Sequence, residues 1–136
     1  MTSSKTKATK TSATANAGTE GRLCGKVALV TGAAGNLGGA IIRRFIGEGA
    51  TLVMTGRTAE RLEAAKAALL AETGVEESRV FTVILDGADP ESVRAGIETV
   101  KAALGRIDIL VNNAGSAGPR QTLENVPLTR AEMEAN

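Results

Sequence analysis

Val27-Ala28-Leu29-Val30-Thr31-Gly32-Ala33-Ala34-Gly35-Asn36-Leu37-Gly38-Gly39 is the stretch that decides the fold. Its apolar opening, Lys26 to Thr31, predicts a buried strand that runs into a glycine-rich turn. Leu37, Ile41, Ile42, Phe45 and Ile46 then recur at three- and four-residue spacing, so a helix follows directly. A strand beneath such a turn supports it, the glycines let the backbone approach a charged ligand, and the helix N-terminus offers unpaired N–H groups to a phosphate. The pattern is the opening of a dinucleotide site.

The same alternation continues outward. Gly47 and Gly49 end the first helix, and Thr51 to Thr55 predicts a second strand. Thr58 is placed to N-cap a helix with Leu62, Ala65, Leu69 and Leu70 on one side, closed by Gly74. Arg79 to Leu85 predicts a third strand, nearly continuous in apolar residues, as expected when both sheet faces are covered. Asp89-Pro90 opens a third helix striped with Val93, Ile97, Val100 and Leu104, Gly105 ends it, and Arg106 to Val111 is the fourth strand. Right-handed crossovers then give a Rossmann-type doubly wound α/β fold, a parallel sheet in the order 3-2-1-4. The outer side of the fourth strand has no neighbour in this order, and an apolar edge of that kind calls for cover. Leu128 to Asn136 reads as the opening of a further helix. The expectation is that 21–136 is the N-terminal part of a larger nucleotide-binding domain.

Composition narrows the function. The chain has 136 residues, 43% of them apolar and 23% charged, which fits one soluble globular unit. Its net charge is +1 and its basic residues are scattered, so no basic stripe argues for nucleic acid. No apolar run approaches a membrane span and no signal peptide is evident, and the single cysteine, Cys24, fits a reducing cytoplasm. Residues 1–20, rich in Thr, Ser, Ala and Lys, read as a disordered tail. A transit peptide is the alternative, but arginine and an amphipathic face are lacking. The chain contains no His, Tyr or Trp, which removes several catalytic schemes.

Three more residues stand where the strands of such a sheet end. Arg57 follows the second strand, where an NAD-binding fold usually has a carboxylate for the ribose hydroxyls. A carboxylate there would repel a 2′-phosphate, whereas a guanidinium can pair with it, which points to NADPH. Asp86, in Asp86-Gly87-Ala88-Asp89, follows the third strand, while Asp89 has the blander task of capping the next helix. Asn112-Asn113-Ala114-Gly115 follows the fourth, its small residues suited to passing beneath a ligand and its asparagines to tying adjacent strands.

These motifs resemble the short-chain dehydrogenases/reductases, whose fingerprint is Thr-Gly-x-x-x-Gly-x-Gly. Thr31, Gly32 and Gly38 match it, whereas the middle position holds Asn36 and the glycine sits one place earlier at Gly35. Asparagine is the non-glycine residue that best tolerates left-handed dihedrals. The resemblance implies that Asp86 accepts from the adenine amino group, that Asn113 lies near the nicotinamide ribose and that Asn112 is structural. It makes Thr31, Gly32, Ala34, Gly35, Asn36, Leu37, Gly38, Arg57, Asp86, Gly87, Asn113, Ala114 and Gly115 the candidate cofactor-binding residues. Gly21-Arg22-Leu23-Cys24-Gly25-Lys26, Arg43-Arg44-Phe45, Glu48-Gly49-Ala50-Thr51, Asp86 to Pro90, Val93 to Glu98 and Asn112 to Gly118 also look like the N-terminal end of the bifunctional malonyl-CoA reductases, the shifted glycine included.

In that group the C-terminal half reduces malonyl-CoA to malonate semialdehyde and the N-terminal half reduces the semialdehyde to 3-hydroxypropionate, each with NADPH. The implied partners are a small carbonyl substrate, malonate semialdehyde or malonyl-CoA, the rest of the same polypeptide and a second copy in a homodimer, with no nucleic acid or membrane. The family's chemistry needs a Tyr-x-x-x-Lys pair with an upstream serine, and with no tyrosine here the expectation is that these lie past Asn136. No catalytic residue and no metal ligand is assigned in 1–136. Two alternatives stay open: a single-domain alcohol dehydrogenase or ketoreductase, and a non-catalytic nucleotide-binding module.

Overall fold

A computed structural model of the chain describes residues 21–115. The 1–20 tail and the helix expected from Leu128 lie outside the described residues. The elements follow the order β1 (Val27–Val30), α1 (Asn36–Gly47), β2 (Thr51–Gly56), α2 (Ala59–Thr73), β3 (Val80–Ile84), α3 (Pro90–Leu104) and β4 (Ile109–Val111), with a 3-10 turn at Glu77–Arg79 before β3. All strand pairs are parallel and the sheet order is β3-β2-β1-β4, as the alternation predicts.

Both faces of the sheet are covered, which is why β1 reads as an unbroken apolar run and is buried throughout. Successive side chains point to opposite faces. Ala28, Val30, Leu52, Met54 and Val80 therefore pack on one side against Ile42 and Ile46 of α1 and Leu62 and Leu69 of α2. Val27, Leu29 and Val53 pack on the other against Val100 of α3. In the middle of α3, Gly96 replaces a side chain that would press on Leu85 at 2.7 Å, so the helix lies close on β3.

Local signals set the helix ends. The Asp89 carboxylate accepts from the Glu91 N–H at 3.0 Å with Pro90 at the first helical position, and Gly74 and Gly105 close α2 and α3 in the left-handed region at φ 67° and 80°. Thr58 occupies the N-cap of α2 but makes no side-chain cap; its backbone carbonyl accepts from Leu62 N at 3.1 Å. The fourth strand is shorter than the apolar pattern suggests. Before Ile109 the chain is fastened by side chains: Asp108 Oδ2 accepts from Val27 N at 2.8 Å and from Arg106 Nε at 2.9 Å, and Arg106 also donates to the Gly25 carbonyl. This knot ties β1 and β4 at the end of the sheet opposite the glycine turn. At the β4 edge Leu110 is 57% exposed, the apolar edge expected from the strand order.

Candidate functional site

The carboxyl ends of four parallel strands share one rim, and each carries a short segment singled out in the sequence. Thr31–Gly35 follow β1, Arg57 follows β2, Asp86-Gly87 follow β3 and Asn112–Gly115 follow β4. In open α/β sheets a ligand crevice forms outside these ends, where the connections diverge to opposite faces. Here α1 and α2 lie on one face and α3 on the other, and the divergence falls between β1 and β4.

That junction is tied by hydrogen bonds between residues about eighty positions apart. Thr31 Oγ1 accepts from the N–H groups of Asn113 and Ala114, each at 2.9 Å, and donates to the Val111 carbonyl at 3.3 Å. Asn113 Nδ2 donates to the carbonyls of Thr31 at 3.1 Å and Gly32 at 3.2 Å. Gly32 sits at φ 63°, and a Cβ on it would meet Ala114 Cα at 2.9 Å. Threonine, glycine and asparagine are thus each needed to bring the two crevice walls into contact. The structural tie that the resemblance gives to Asn112 is made here by Asn113; Asn112 is exposed.

The displaced glycine has a simple explanation. Asn36 is the first residue of α1 and takes helical dihedrals, so its tolerance of the left-handed region is not called upon. Gly35 is the N-cap, in extended conformation at φ −84°. Steric demand falls instead on Gly38, where a Cβ would stand 2.1 Å from the Gly32 carbonyl oxygen. At Gly35 the nearest atom to a Cβ is that same oxygen at 3.5 Å, an ordinary contact, so the space before it is open.

A glycine N-cap leaves the first N–H groups of α1 without a side-chain acceptor, and the first turn carries no acidic residue. The contrast with α3, capped by Asp89 and followed by Glu91, marks α1 as the helix end open to an anion. Leu37, 67% exposed, stands beside this opening. A groove of about 260 Å³ runs from the turn residues Ala33–Asn36 down between Gly39, Ile42 and Arg43 of α1 and Ala65 of α2.

Arg57 is exposed, and among the described residues no carboxylate lies within salt-bridge distance of it. Asp86 and Asp89 divide their work as the sequence suggests. Asp89 caps α3, while Asp86 is half-buried at the rim, its Oδ1 accepting from Ala88 N at 3.0 Å and its own N–H donating to Ser92 Oγ at 2.9 Å. Gly87, Ala114 and Gly115 are exposed, and no atom lies within 4 Å of a Cβ built on Gly87 or Gly115.

Two residues at or near the rim escape a reading of motifs. Ser92 anchors the start of the β3–α3 loop. Arg43 lines the groove, donates to the Gly39 carbonyl at 2.9 Å and forms a two-pronged pair with Glu72 of α2, both contacts at 2.7 Å. The hydrogen bonds from Arg43 hold the Glu72 carboxyl below its ordinary range, and Glu72 raises the guanidinium in turn. The Gly39–Arg43 spacing of one helical turn is the signal in the sequence, since a glycine there clears a path for the arginine.

A doubly wound sheet with an open glycine turn, an arginine after β2 and an asparagine tie after β4 defines a nucleotide-binding α/β protein. The chain belongs to the short-chain dehydrogenase family, whose profile matches residues 26–135. Among solved structures it is similar to the N-domain of a bacterial malonyl-CoA reductase, determined with NADP, at 62% identity and a TM-score of 0.74 over 85% of this chain and 21% of that one. It is also similar to L-sorbose reductase from Gluconobacter frateurii, determined with NADPH and L-sorbose, at 38% identity and a TM-score of 0.69 over 83% of this chain and 44% of that one. D-threitol dehydrogenase of Mycolicibacterium smegmatis is 47% identical over 71% of this chain and 35% of its own length. The chain spans about a third to two fifths of the length of the curated relatives it matches. Among the described residues no helix is long and apolar enough to cross a membrane, and no group of three or more His, Cys, Asp or Glu side chains could hold a metal.

Proposed function

We propose that this chain is the nucleotide-binding part of an NADPH-dependent carbonyl reductase of the malonyl-CoA reductase kind, in which this half reduces malonate semialdehyde to 3-hydroxypropionate. The observation that carries the cofactor is the rim itself, where a helix end without a side-chain cap, open space before Gly35 and an exposed Arg57 with no carboxylate beside it among the described residues suit a ligand with several phosphates. In this reading Thr31, Gly32, Ala34, Gly35, Asn36, Leu37 and Gly38 receive the pyrophosphate and Arg57 pairs with the 2′-phosphate. Asp86 and Gly87 meet the adenine, and Asn113, Ala114 and Gly115 meet the nicotinamide ribose. NADPH, when bound, supplies hydride to a carbonyl carbon.

What this chain contributes is orientation. The Thr31–Asn113 tie fixes the wall against which the ribose rests, and a fixed wall is what holds a donor within reach of its acceptor. With no tyrosine in the 136 residues, a Tyr-x-x-x-Lys pair would come from elsewhere in the protein. The substrate rests on the 62% identity with the malonyl-CoA reductase N-domain. The same reading places the protein in the cytoplasm, as a homodimer, with this segment followed by the rest of the reductase.

A second reading, a dehydrogenase of sugars or polyols, draws on the likeness to D-threitol dehydrogenase and L-sorbose reductase. The intact protein separates the two. NADPH oxidation with malonate semialdehyde, or with malonyl-CoA and release of free CoA, supports the first; turnover of ketoses or polyols without either acid sinks it. Arg57→Asp tests the cofactor: NADPH affinity should fall at least tenfold more than NADH affinity, the difference of about one charge-assisted pair turned repulsive. Equal losses for both nucleotides would remove Arg57 from the 2′-phosphate.

A further inference from the structure

We propose that Ser92 is a positioning residue for the nucleotide, its hydroxyl holding the Asp86 backbone so that one oxygen of the Asp86 carboxylate is presented at the rim; the inference rests on the reading that Asp86 meets the adenine. β3 is the outer strand of the described sheet, and an outer strand leaves N–H groups to be satisfied from elsewhere. Leu85 N still donates to the Gly56 carbonyl of β2 at 2.9 Å, whereas the next N–H, that of Asp86, finds no backbone carbonyl among the described residues. Ser92 Oγ accepts it at 2.9 Å. The reach comes from the packing of α3. Gly96 stands one turn beyond Ser92 on the same side of that helix, and a Cβ at 96 would press on Leu85 Cδ1 at 2.7 Å. Lacking a side chain there, the helix lies close on β3, and its first turn carries the Ser92 hydroxyl to the end of the strand.

Ser92 is the third residue of α3, the place from which a capping-box side chain reaches back to the N–H of the N-cap residue. Here the Asp89 N–H is already taken by the Asp86 carbonyl at 3.1 Å, and Ser92 reaches past it to Asp86 itself. Asp86 is thereby held at its N–H by Ser92, at its carbonyl by Asp89, and at Oδ1 by the Ala88 N–H at 3.0 Å. Among the described residues no donor takes Oδ2. The next residue, Gly87, is exposed, with no atom within 4 Å of a Cβ built on it, so this side of the loop is open. A carboxylate with one oxygen fixed and the other free suits a ligand group that donates an N–H, as the exocyclic amino group of adenine does.

The test separates aim from mere integrity of the loop. Reduced nicotinamide hypoxanthine dinucleotide phosphate is NADPH with an oxygen in place of the adenine amino group, so it offers no amino N–H to a carboxylate. Fluorescence titration of the full-length protein gives dissociation constants for both nucleotides. Wild-type protein should bind the hypoxanthine nucleotide about tenfold more weakly than NADPH, on the scale of one hydrogen bond to a charged group. In Ser92→Ala the ratio should fall to about threefold or less through weaker NADPH binding, whereas Ser92→Thr, which keeps the oxygen, should hold it near wild type. Hydrogen exchange on the nucleotide-free protein reads the bond directly: the Asp86 amide should be protected in wild type and Ser92→Thr and exchange about tenfold faster in Ser92→Ala. If wild type discriminates and Ser92→Ala keeps the same ratio, the inference about Ser92 is overturned and the adenine reading stands. An Asp86 amide that exchanges without protection in wild type overturns it equally, with no variant needed. If wild-type protein binds the two nucleotides alike, the adenine reading itself falls, and the inference with it.

Discussion

Thr31→Val separates the hydroxyl from the shape of the side chain at the β1–β4 junction. Valine keeps the branch and the volume, so packing against the strand changes little, and what is lost is one oxygen that accepts two N–H groups at 2.9 Å and donates once at 3.3 Å. A protein hydrogen bond contributes about 1 kcal/mol net. Ala114 is exposed and its N–H can turn to water, and the half-buried Asn113 N–H keeps a second acceptor, the Val111 carbonyl at 3.1 Å, so neither donor is stranded and the loss is that of the two hydrogen bonds Thr31 accepts. The expected local loss is therefore about 2 kcal/mol. Hydrogen exchange is the suitable assay, because it reads opening at named amides and needs no two-state unfolding of a long protein. Exchange at Asn113 and Ala114 should quicken about thirtyfold in Thr31→Val, while Thr31→Ser, which keeps the oxygen, stays within about threefold of wild type. Equal protection in the two variants would show that the hydroxyl does not hold the junction.

Two further results follow from the same geometry. Gly38→Ala should destabilise the protein by about 3 kcal/mol or abolish soluble expression, since backbone rather than a flexible side chain stands 2.1 Å from the new Cβ, whereas Gly35→Ala should melt within a few degrees of wild type yet bind NADPH more weakly; a stable Gly38→Ala protein refutes the turn geometry. At low pH the carboxylates matter. Asp108 is held below its ordinary range first by the Val27 N–H, Glu48 by the backbone and side chain of Arg22, and Glu72 by Arg43. A depressed folded pKa stabilises above the unfolded value and loses its effect as pH falls through the folded one, so melting temperature should hold from pH 7 to about 5 and drop below about pH 4. Asp108→Asn should melt lower than wild type at pH 7 and converge with it in acid; parallel curves from pH 3 to 7 would exclude Asp108 as a contributor.

The parts of the fold legible in the sequence are those whose causes are local or chiral. Asp89-Pro90, Gly74 and Gly105 mark helix ends through interactions within a few residues, and the strand order follows from the hand of the crossovers. Thr58 shows the limit, because a residue suited to capping need not turn its hydroxyl inward. What stays hidden is side-chain pairing across the chain: Thr31 with Asn113, Asp108 with Val27, Arg43 with Glu72. Each joins segments 29 to 82 residues apart through residue types that occur equally well as solvated surface.

The glycine fingerprint brings both cases together, since its positions carry unequal physical loads. Gly32 is required by its positive φ and by the approach of Ala114, and Gly38 by the Gly32 carbonyl. The place between them, Asn36, is the first turn of a helix with helical dihedrals, so a side chain is sterically admissible there and the departure from the family pattern costs the fold little. Asn36 is exposed there and lines the groove between α1 and α2. A pattern counted as three equal glycines thus resolves into two that build the turn and one exposed position at the start of α1, and it is at that third position that this chain differs.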